Sequence, residues 1–321
     1  MNQHIFITRP IPQNAIDLLK SKGYSVDVRT DRHAPSKREL IKALKRSSYT
    51  ALVSFLTDTI DADIFDACPT IKLVANYAVG YNNIDIVEAK KRNIVVTNTQ
   101  GTSGNAVAEF TVSLMCALAT RLVEGDRFVH AKKYKGWDPY LLLGTDIAGK
   151  VIGLIGAGEI GSLVAKKLIK GFDCSVIYYD VKPNDTLNAL GATFMSQEEV
   201  LQRADIVSLH VPLLPTTTHL INEKTLAMMK SSAYLINTAR GPVVDEAALT
   251  KALVDKKLAG AALDVFEFEP KTTRTLRKLE NVILTPHIAS ARISVRESMG
   301  QKVAENVIAV LEGREVKNVA I

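Results

Sequence analysis

Short apolar runs alternate with amphipathic stretches along almost the whole chain. Runs rich in Val, Ile, Leu and Ala predict buried strands, whereas apolar residues three or four positions apart predict helices. In the first hundred residues this pattern predicts strands at His4–Thr8, Tyr24–Val28, Ala51–Ser54, Leu73–Ala75 and Val95–Thr97, and helices at Gln13–Leu19, Lys37–Arg46 and Asp85–Arg92. Such alternation is typical of a parallel sheet with helices on both faces.

A second alternating series begins at Val151 and predicts another parallel sheet, of about six strands. Its later strands are predicted at Asp205–His210, Ala233–Asn237, Gly260–Val265 and Asn281–Leu284, with helices at Gln197–Ala204, Lys224–Met229 and Asp245–Leu258. Residues Asn105–His130 form the longest helical pattern before this series. A final helix at Ser294–Leu311 would return to the first sheet, so we expect one domain of residues 1–101 and 291–321 and another of residues 102–290.

The strand that opens at Val151 leads into a glycine-rich turn, Gly156-Ala157-Gly158-Glu159-Ile160-Gly161, and then into a helical pattern. In a dinucleotide-binding unit the first glycine allows the tight turn, the second admits a pyrophosphate, and the third lets the helix approach its strand. The N–H groups and positive dipole end of that helix then face the phosphates. The turn therefore predicts dinucleotide binding through these residues.

Asp180 ends the next strand, Ser175–Tyr179, nineteen residues after Gly161, within the interval of about 20 residues typical of this unit. A carboxylate there accepts hydrogen bonds from the ribose hydroxyls and repels the 2′-phosphate of NADP. The sequence thus predicts NAD rather than NADP, with Lys182 as a charge that would partly offset Asp180.

The composition fits two globular domains. The chain has 321 residues, of which 47% are apolar and 23% charged, and about 100–200 residues per domain is usual. The net charge of +6 comes from basic residues scattered over predicted helices, which argues against a nucleic-acid surface. No apolar run approaches the about 18 residues that span a bilayer, and no secretory signal is evident. Cys68, Cys116 and Cys174 have no metal-ligand spacing, so we expect free thiols, no bound metal and a cytoplasmic protein.

Three segments at predicted strand ends carry ionisable residues, and open α/β sheets bind their ligands at such ends. They are Asn237-Thr238-Ala239-Arg240-Gly241, Phe266-Glu267-Phe268-Glu269-Pro270 and Pro286-His287-Ile288-Ala289-Ser290. Taken singly, Arg240 fits a surface ion pair, Glu269 a turn cap and His287 a core histidine. In a chain that also has a dinucleotide-binding unit, the three residues together indicate an acid/base site.

These segments, with VPLLPTTTHLIN from Val211, resemble the D-isomer-specific 2-hydroxyacid dehydrogenase family over nearly the whole chain. The family includes glyoxylate/hydroxypyruvate reductases, D-lactate and 3-phosphoglycerate dehydrogenases, and corepressors. The resemblance implies an α/β protein of two doubly wound, Rossmann-like domains, with the NAD-binding domain inserted into a flavodoxin-like substrate domain. It also implies a homodimer, to which the long helix and the loop around Trp137 would contribute.

The resemblance places the family's three catalytic positions on Arg240, Glu269 and His287. In that mechanism NADH reduces the carbonyl of a 2-oxo acid to the D-2-hydroxy acid. Arg240 holds the substrate carboxylate with its planar fork, and His287 supplies the proton. Glu269 hydrogen-bonds the imidazole and stabilises its protonated form.

Further family positions carry over as expected ligand contacts. Val79 and Gly80 would bind the substrate carboxylate through their backbone N–H groups, and Leu56 would form an apolar wall beside the reacting carbon. The resemblance implies that the cofactor is lined by Val211, Pro212, Thr217, Thr238, Ala239, Asp264 and His287.

The expected substrate is glyoxylate or hydroxypyruvate, because Ser54 and Asp58 stand where phosphoglycerate dehydrogenases place basic residues, and an aspartate repels phosphate. Phosphoglycerate and D-lactate dehydrogenases are the nearer alternatives, and an NAD-sensing corepressor without turnover is the alternative of another class. The sequence departs from the common family pattern at Gly104, Ala289 and Arg292. Gly104 would loosen cofactor contacts, and an inward-pointing Arg292 would admit a more acidic substrate.

Overall fold

Strands and helices alternate through residues 3–316 and 318–319, which the computed structural model of the chain describes. The strands are β1 (His4–Ile7), β2 (Ser25–Val28), β3 (Ala51–Ser54), β4 (Leu73–Asn76), β5 (Val95–Thr97), β6 (Val151–Ile155), β7 (Ser175–Tyr179), β8 (Thr193–Phe194), β9 (Ile206–Leu209), β10 (Tyr234–Asn237), β11 (Gly260–Leu263) and β12 (Val282–Leu284). The helices are α1 (Gln13–Ser21), α2 (Lys37–Leu44), α3 (Ala62–Ala67), α4 (Ile86–Lys91), α5 (Gly104–Ala119), α6 (Leu122–His130), α7 (Glu159–Phe172), α8 (Asp185–Ala189), α9 (Gln197–Arg203), α10 (Glu223–Leu226), α11 (Glu246–Val254) and α12 (Ile293–Leu311).

The chain forms two compact units. The first takes in the chain up to Ser103 and from Ala291 onward, and the second is Gly104–Ser290. In the first unit, five parallel strands lie in the order β2-β1-β3-β4-β5, which is the flavodoxin-like order. Buried residues of β1, β3, β4 and β5, such as Leu52 and Val74, pack with helix residues such as Leu44 and Ile64. Helix α12 lies against α1 and β4, so the chain after Ala291 completes this unit.

The second unit is built on a sheet of parallel strands in the order β12-β11-β10-β9-β6-β7-β8. From β6 the chain runs outward through β7 and β8, then returns to place β9 on the other side of β6. The strand order therefore reverses between β6 and β9, and ligands of open α/β sheets bind at the carboxyl ends beside such a reversal. The predicted fold class, two doubly wound parallel-sheet domains, is confirmed.

The single helix predicted for Asn105–His130 is wrong in one respect. It is two helices, α5 and α6, which meet at 62°. The chain turns at Arg121, whose backbone is left-handed with φ +56°. The end of α5 is fixed by the segment that precedes β6: the Thr145 N–H donates to the Ala119 carbonyl at 2.8 Å. Gly144 lies so close that a Cβ there would be 2.4 Å from the same carbonyl oxygen.

The second sheet also has seven described strands rather than about six. The additional strand, β8, has two exposed residues that pair with the edge of β7, so no buried apolar run marks it in the sequence. The sequence pattern likewise did not predict the short helices α3 and α8. Helix α11 ends at Val254, before the predicted Leu258, and Lys256 beyond it has φ +55°.

Among the described residues, no single helix is long and apolar enough to cross a membrane; the bent pair of α5 and α6 meets that test by length and composition alone.

Candidate active site

Two glycines of the segment 156–161, which joins β6 to the first turn of α7, leave no room for a side chain. Gly156 has φ +101°, and a Cβ there would lie 2.7 Å from the backbone of His210. A Cβ on Gly161 would lie 2.2 Å from the Gly156 carbonyl oxygen. At Gly158, by contrast, a Cβ would meet no atom within 4 Å. The turn therefore leaves open space at the N-terminus of α7, where Glu159 and Ile160 begin the helix and unpaired N–H groups favour an anion.

Asp180 lies beside this turn and is bonded to it. Its Oδ2 accepts the Ala157 N–H at 2.7 Å, and its Oδ1 accepts the Val181 N–H at 2.6 Å. Asn184, which sequence reasoning missed because no motif marks it, donates from Nδ2 to the Ala157 carbonyl at 2.7 Å. The carboxylate predicted to meet the ribose thus also fixes the glycine turn.

Arg240 follows β10, and hydrogen bonds with neighbouring residues fix both its backbone and its side chain. The Asn237 side chain accepts the Ala239 N–H and donates to the Arg240 carbonyl, each at 3.0 Å. The Arg240 Nη1 group donates to the Ala239 carbonyl at 2.7 Å. Burial lowers the pKa of Arg240, and the negative charge of Glu269 partly opposes that shift. The guanidinium stays charged near neutral pH, since arginine does not deprotonate in proteins.

His287 and Glu269 form a hydrogen-bonded pair. His287 Nδ1 lies 3.0 Å from Glu269 Oε2, while Glu269 Oε1 accepts the Phe266 N–H at 3.1 Å. Burial raises the pKa of Glu269, but the His287 imidazole, the Phe266 N–H and the Arg240 charge outweigh burial and leave that pKa below its ordinary value. Glu269 is therefore an ionised acceptor and Nδ1 is the donor, which leaves Nε2 for a second partner.

Asp264 fixes the loop that carries His287. Its fully buried carboxylate accepts from the N–H groups of Ile288 and Ala289 and from the Thr285 hydroxyl, at 2.7–2.9 Å. The Asp264 carbonyl accepts the His287 N–H at 2.8 Å. Ala289, one of the departures noted in the sequence, is buried. Within this unit Asp264 fixes the position of the loop that carries His287. A contact between Asp264 and the cofactor stays a prediction.

The other predicted cofactor positions lie at neighbouring strand ends of the same sheet. Thr217 closes the loop after β9, donating to the Pro212 carbonyl at 2.6 Å, and that loop begins at Val211. Thr238 and Ala239 follow β10, and the Thr238 hydroxyl lies 2.8 Å from that of Thr111. Beside Gly156, burial lowers the pKa of His210 to about 4, so this imidazole is neutral near neutral pH.

Gly104, one of the departures noted in the sequence, leaves room for the side chain of Glu159. A Cβ at Gly104 would lie 2.4 Å from Glu159 Oε1, so the glutamate side chain fills the space that a residue at 104 would use. Arg292, the one charged departure, is exposed and immediately precedes α12.

The predicted substrate contacts Leu56, Val79 and Gly80 belong to the first unit. The Asn98 and Asn76 side chains donate to the carbonyls of Val79 and Gly80, each at 2.8 Å, and so fix the loop after β4. Leu56 is 42% exposed after β3.

Asp58, which the sequence suggested would repel a substrate phosphate, is a buried residue. Asp58 is 1% exposed and accepts the Phe55 N–H at 2.9 Å, with Arg9 Nη2 3.5 Å away. Ser54 is fully buried against Asn76. Both side chains thus face the interior of their unit, and Asp58 carries no argument against a phosphate.

No group of three or more His, Cys, Asp or Glu side chains among the described residues could hold a metal ion. The three cysteines are free thiols. The His287–Glu269 pair at the carboxyl ends of the second sheet is suited to acid/base chemistry beside an anion-binding helix terminus, which defines the class of protein: a dinucleotide-dependent oxidoreductase with a doubly wound fold.

Comparison with known proteins identifies the family. The model of the D-isomer specific 2-hydroxyacid dehydrogenase, NAD binding domain, matches residues 112–289. A glyoxylate reductase of Thermofilum pendens is 46% identical over 96% of this chain and 91% of its own length. A glyoxylate reductase of Korarchaeum cryptofilum is 45% identical over 98% of this chain and 94% of its own. The crystal structure of the TT0316 protein of Thermus thermophilus matches with TM-score 0.93 and 40% identity, covering 99% of this chain and 100% of that one.

The chain therefore belongs to the D-isomer-specific 2-hydroxyacid dehydrogenase family. It is an NAD-dependent oxidoreductase, as the glycine turn and Asp180 predicted.

Proposed function

We propose that this enzyme uses NADH to reduce a small 2-oxo acid, glyoxylate or hydroxypyruvate, to the D-2-hydroxy acid. The observation that carries the proposal is the His287–Glu269 pair, 3.0 Å apart. The pair lies at the carboxyl ends of the strands of the second sheet, as do Arg240 and the glycine turn. The two glyoxylate reductases compared above support the choice of substrate.

The second unit has the features that NAD requires, and we assign cofactor binding to it. The open side of Gly158 accepts the pyrophosphate at the N-terminus of α7. Asp180 keeps lone pairs for the ribose hydroxyls, because each carboxylate oxygen accepts one N–H within the protein. Val211, Pro212, Thr217, Thr238, Ala239, Asp264 and His287 are assigned to line the cofactor. Bound there, NADH supplies the hydride for the carbonyl carbon.

Arg240 binds the substrate carboxylate through the fork of its guanidinium and polarises the carbonyl oxygen. His287 donates the proton to that oxygen from Nε2, since Nδ1 is bonded to Glu269. Glu269 holds the imidazole in this orientation and stabilises its protonated form. In oxidation of the hydroxy acid, Nε2 takes the proton back.

Leu56, Val79 and Gly80 of the first unit are assigned to the substrate, with the Val79 and Gly80 N–H groups on its carboxylate. Their support is the resemblance to the family together with the fixed loop after β4.

We further propose that the enzyme is a homodimer. The segment 122–143 exposes several large apolar side chains: Leu122, Val129, Tyr134, Trp137, Tyr140 and Leu143. A run of this kind marks an interaction surface. We place the enzyme in the cytoplasm on the basis of its free thiols.

The test is oxidation of NADH, and separately of NADPH, by the purified protein with glyoxylate, hydroxypyruvate, pyruvate and 3-phosphohydroxypyruvate. We expect the highest kcat/KM with NADH and one of the first two substrates, and loss of that activity in His287→Ala. Preference for 3-phosphohydroxypyruvate or pyruvate would instead assign a phosphoglycerate or D-lactate dehydrogenase. NADH binding without turnover of any substrate would contradict the proposal and favour a sensor.

A further inference from the structure

Two glutamates next to the candidate active site bind each other's backbone. Glu246, the first residue of α11, donates its N–H to Glu267 Oε2 at 3.0 Å. Glu267 donates its N–H to Glu246 Oε2 at 3.1 Å. The two bonds form a reciprocal clamp between the start of α11 and the segment after β11, and the mechanism above uses neither side chain.

The other oxygen of Glu246 reaches further along the same segment. Glu246 Oε1 accepts the N–H of Thr273 at 2.8 Å and also the Thr273 hydroxyl. One carboxylate, 4% exposed as a residue, thus holds positions 267 and 273 together. Glu269 lies between these two positions, so the backbone that carries it is fixed on both sides.

The remaining oxygen of Glu267 connects this clamp to a second loop. His219 Nε2 lies 2.6 Å from Glu267 Oε1, and the His219 N–H donates to the Pro242 carbonyl at 2.8 Å. Pro242 stands two residues after Arg240. Close packing joins the same two segments, because a Cβ on Gly241 would lie 1.8 Å from the Phe266 carbonyl oxygen.

We propose that Glu246 and Glu267 are positioning residues that hold Glu269 against His287. The proposal rests on the proposed function, since it gives these residues a part in the acid/base step. Glu246 is suited to this part because an ionised carboxylate only accepts hydrogen bonds, and three donors face it here. Its place at the N-terminus of α11 further stabilises the negative charge.

A neutral amide cannot reproduce this arrangement. Glutamine at 246 has one acceptor oxygen, so its NH₂ group must face either the Glu267 N–H or the two donors of Thr273. The segment then shifts, and Glu269 moves from the imidazole. A displacement of about 1 Å in a catalytic pair can lower rates by about a hundredfold.

The experiment compares Glu246→Gln with the wild type in kcat, KM and the pH profile of 2-oxo acid reduction. We expect kcat to fall at least about tenfold and the alkaline limb of the profile to move to lower pH, with NADH affinity unchanged. The charged groups near His287 in this unit include Glu269, Arg240 and Asp264, and the variant alters none of them. Glu223→Gln, an exposed glutamate paired with Lys251 at 2.9 Å, is the matched control and should leave the profile unchanged.

A folded Glu246→Gln protein with wild-type kcat and an unmoved alkaline limb would overturn the proposal. If this variant does not fold, the same assay on Glu267→Gln and Thr273→Val tests the proposal, because each substitution removes one part of the clamp. Should the wild type turn over no 2-oxo acid, the proposed function fails, and NMR titration of the His287 ring then tests the clamp separately. Titration at the same pH in the variants as in the wild type would overturn it.

Discussion

Replacing Glu269 by glutamine removes one negative charge from His287 and preserves the size of the side chain. In the structure the charged oxygen Oε2 lies 3.0 Å from His287 Nδ1. The low pKa of Glu269, which persists although burial raises it, reflects the imidazole, the Phe266 N–H and Arg240. The interaction that favours the ionised carboxylate equally favours the protonated imidazole, so its loss disfavours the acid form of His287.

The magnitude follows from the geometry. A hydrogen bond to a charged group contributes about 1.5–3 kcal/mol. Both side chains are 30% exposed, so solvent screening places this pair at the lower end of that range. Since about 1.4 kcal/mol corresponds to one pH unit, we expect the limb of the pH–activity profile to move by about one unit.

Loss of this charge moves the pH limb in the same direction for both directions of the reaction. Reduction needs the protonated imidazole, and loss of the Glu269 charge disfavours that form, so the alkaline limb moves to lower pH in Glu269→Gln. Oxidation of the hydroxy acid needs the neutral imidazole, so its acid limb also moves to lower pH. Both limbs are measured as kcat/KM against pH, with NADH and with NAD.

The control is Glu223→Gln, which removes an exposed carboxylate of the same unit. A Glu269→Gln enzyme that binds NADH normally and keeps both limbs at their wild-type pH would refute the role given to Glu269.

Two further variants test the ligand contacts. Asp180→Ser removes the charge that would repel a 2′-phosphate, so we expect the NADPH/NADH ratio of kcat/KM to rise at least about tenfold, or ~1.4 kcal/mol. An unchanged ratio would contradict the role given to Asp180. The control is Asp185→Ser, which replaces an exposed aspartate. Arg240→Lys loses the planar fork at a half-buried site, and kcat/KM for the 2-oxo acid should fall about a hundredfold, or about 2.7 kcal/mol. Arg203→Lys should leave it unchanged, and equal values for Arg240→Lys and the wild type would rule out carboxylate binding by Arg240.

Hydrophobic periodicity predicted both sheets because their central strands are buried on both faces. Ala51–Ser54, a central strand that is buried along its whole length, was predicted with the bounds that the structure has. Such strands form continuous apolar runs bounded by polar turns, which is the strongest local signal available. Strand β8 gave no such signal, since both of its residues are exposed.

The break between α5 and α6 could not be predicted from local pattern. The apolar spacing continues across Thr120 and Arg121, and no glycine or proline stands there. The helix ends because Thr145, distant in sequence, donates to the Ala119 carbonyl. A tertiary hydrogen bond thus overrides a helical pattern.

The sequence located the candidate catalytic side chains because strand ends of a parallel sheet meet at one edge. It did not reveal what holds them. Glu246 looks like an ordinary helix-start glutamate, and only burial distinguishes it from Glu223, which is exposed at the start of α10. Asp58 was misjudged for the same reason, since its burial is not visible in the sequence.

The measurement that tests the central claim most directly is the configuration of the product. Hydroxypyruvate would be reduced by the purified enzyme with NADH, and the glycerate formed would be resolved by chiral chromatography. Hydride transfer as proposed gives D-glycerate alone, in an amount equal to the NADH consumed, and none with His287→Ala. L-glycerate, a mixture of both forms, or NADH oxidation without glycerate would contradict the account.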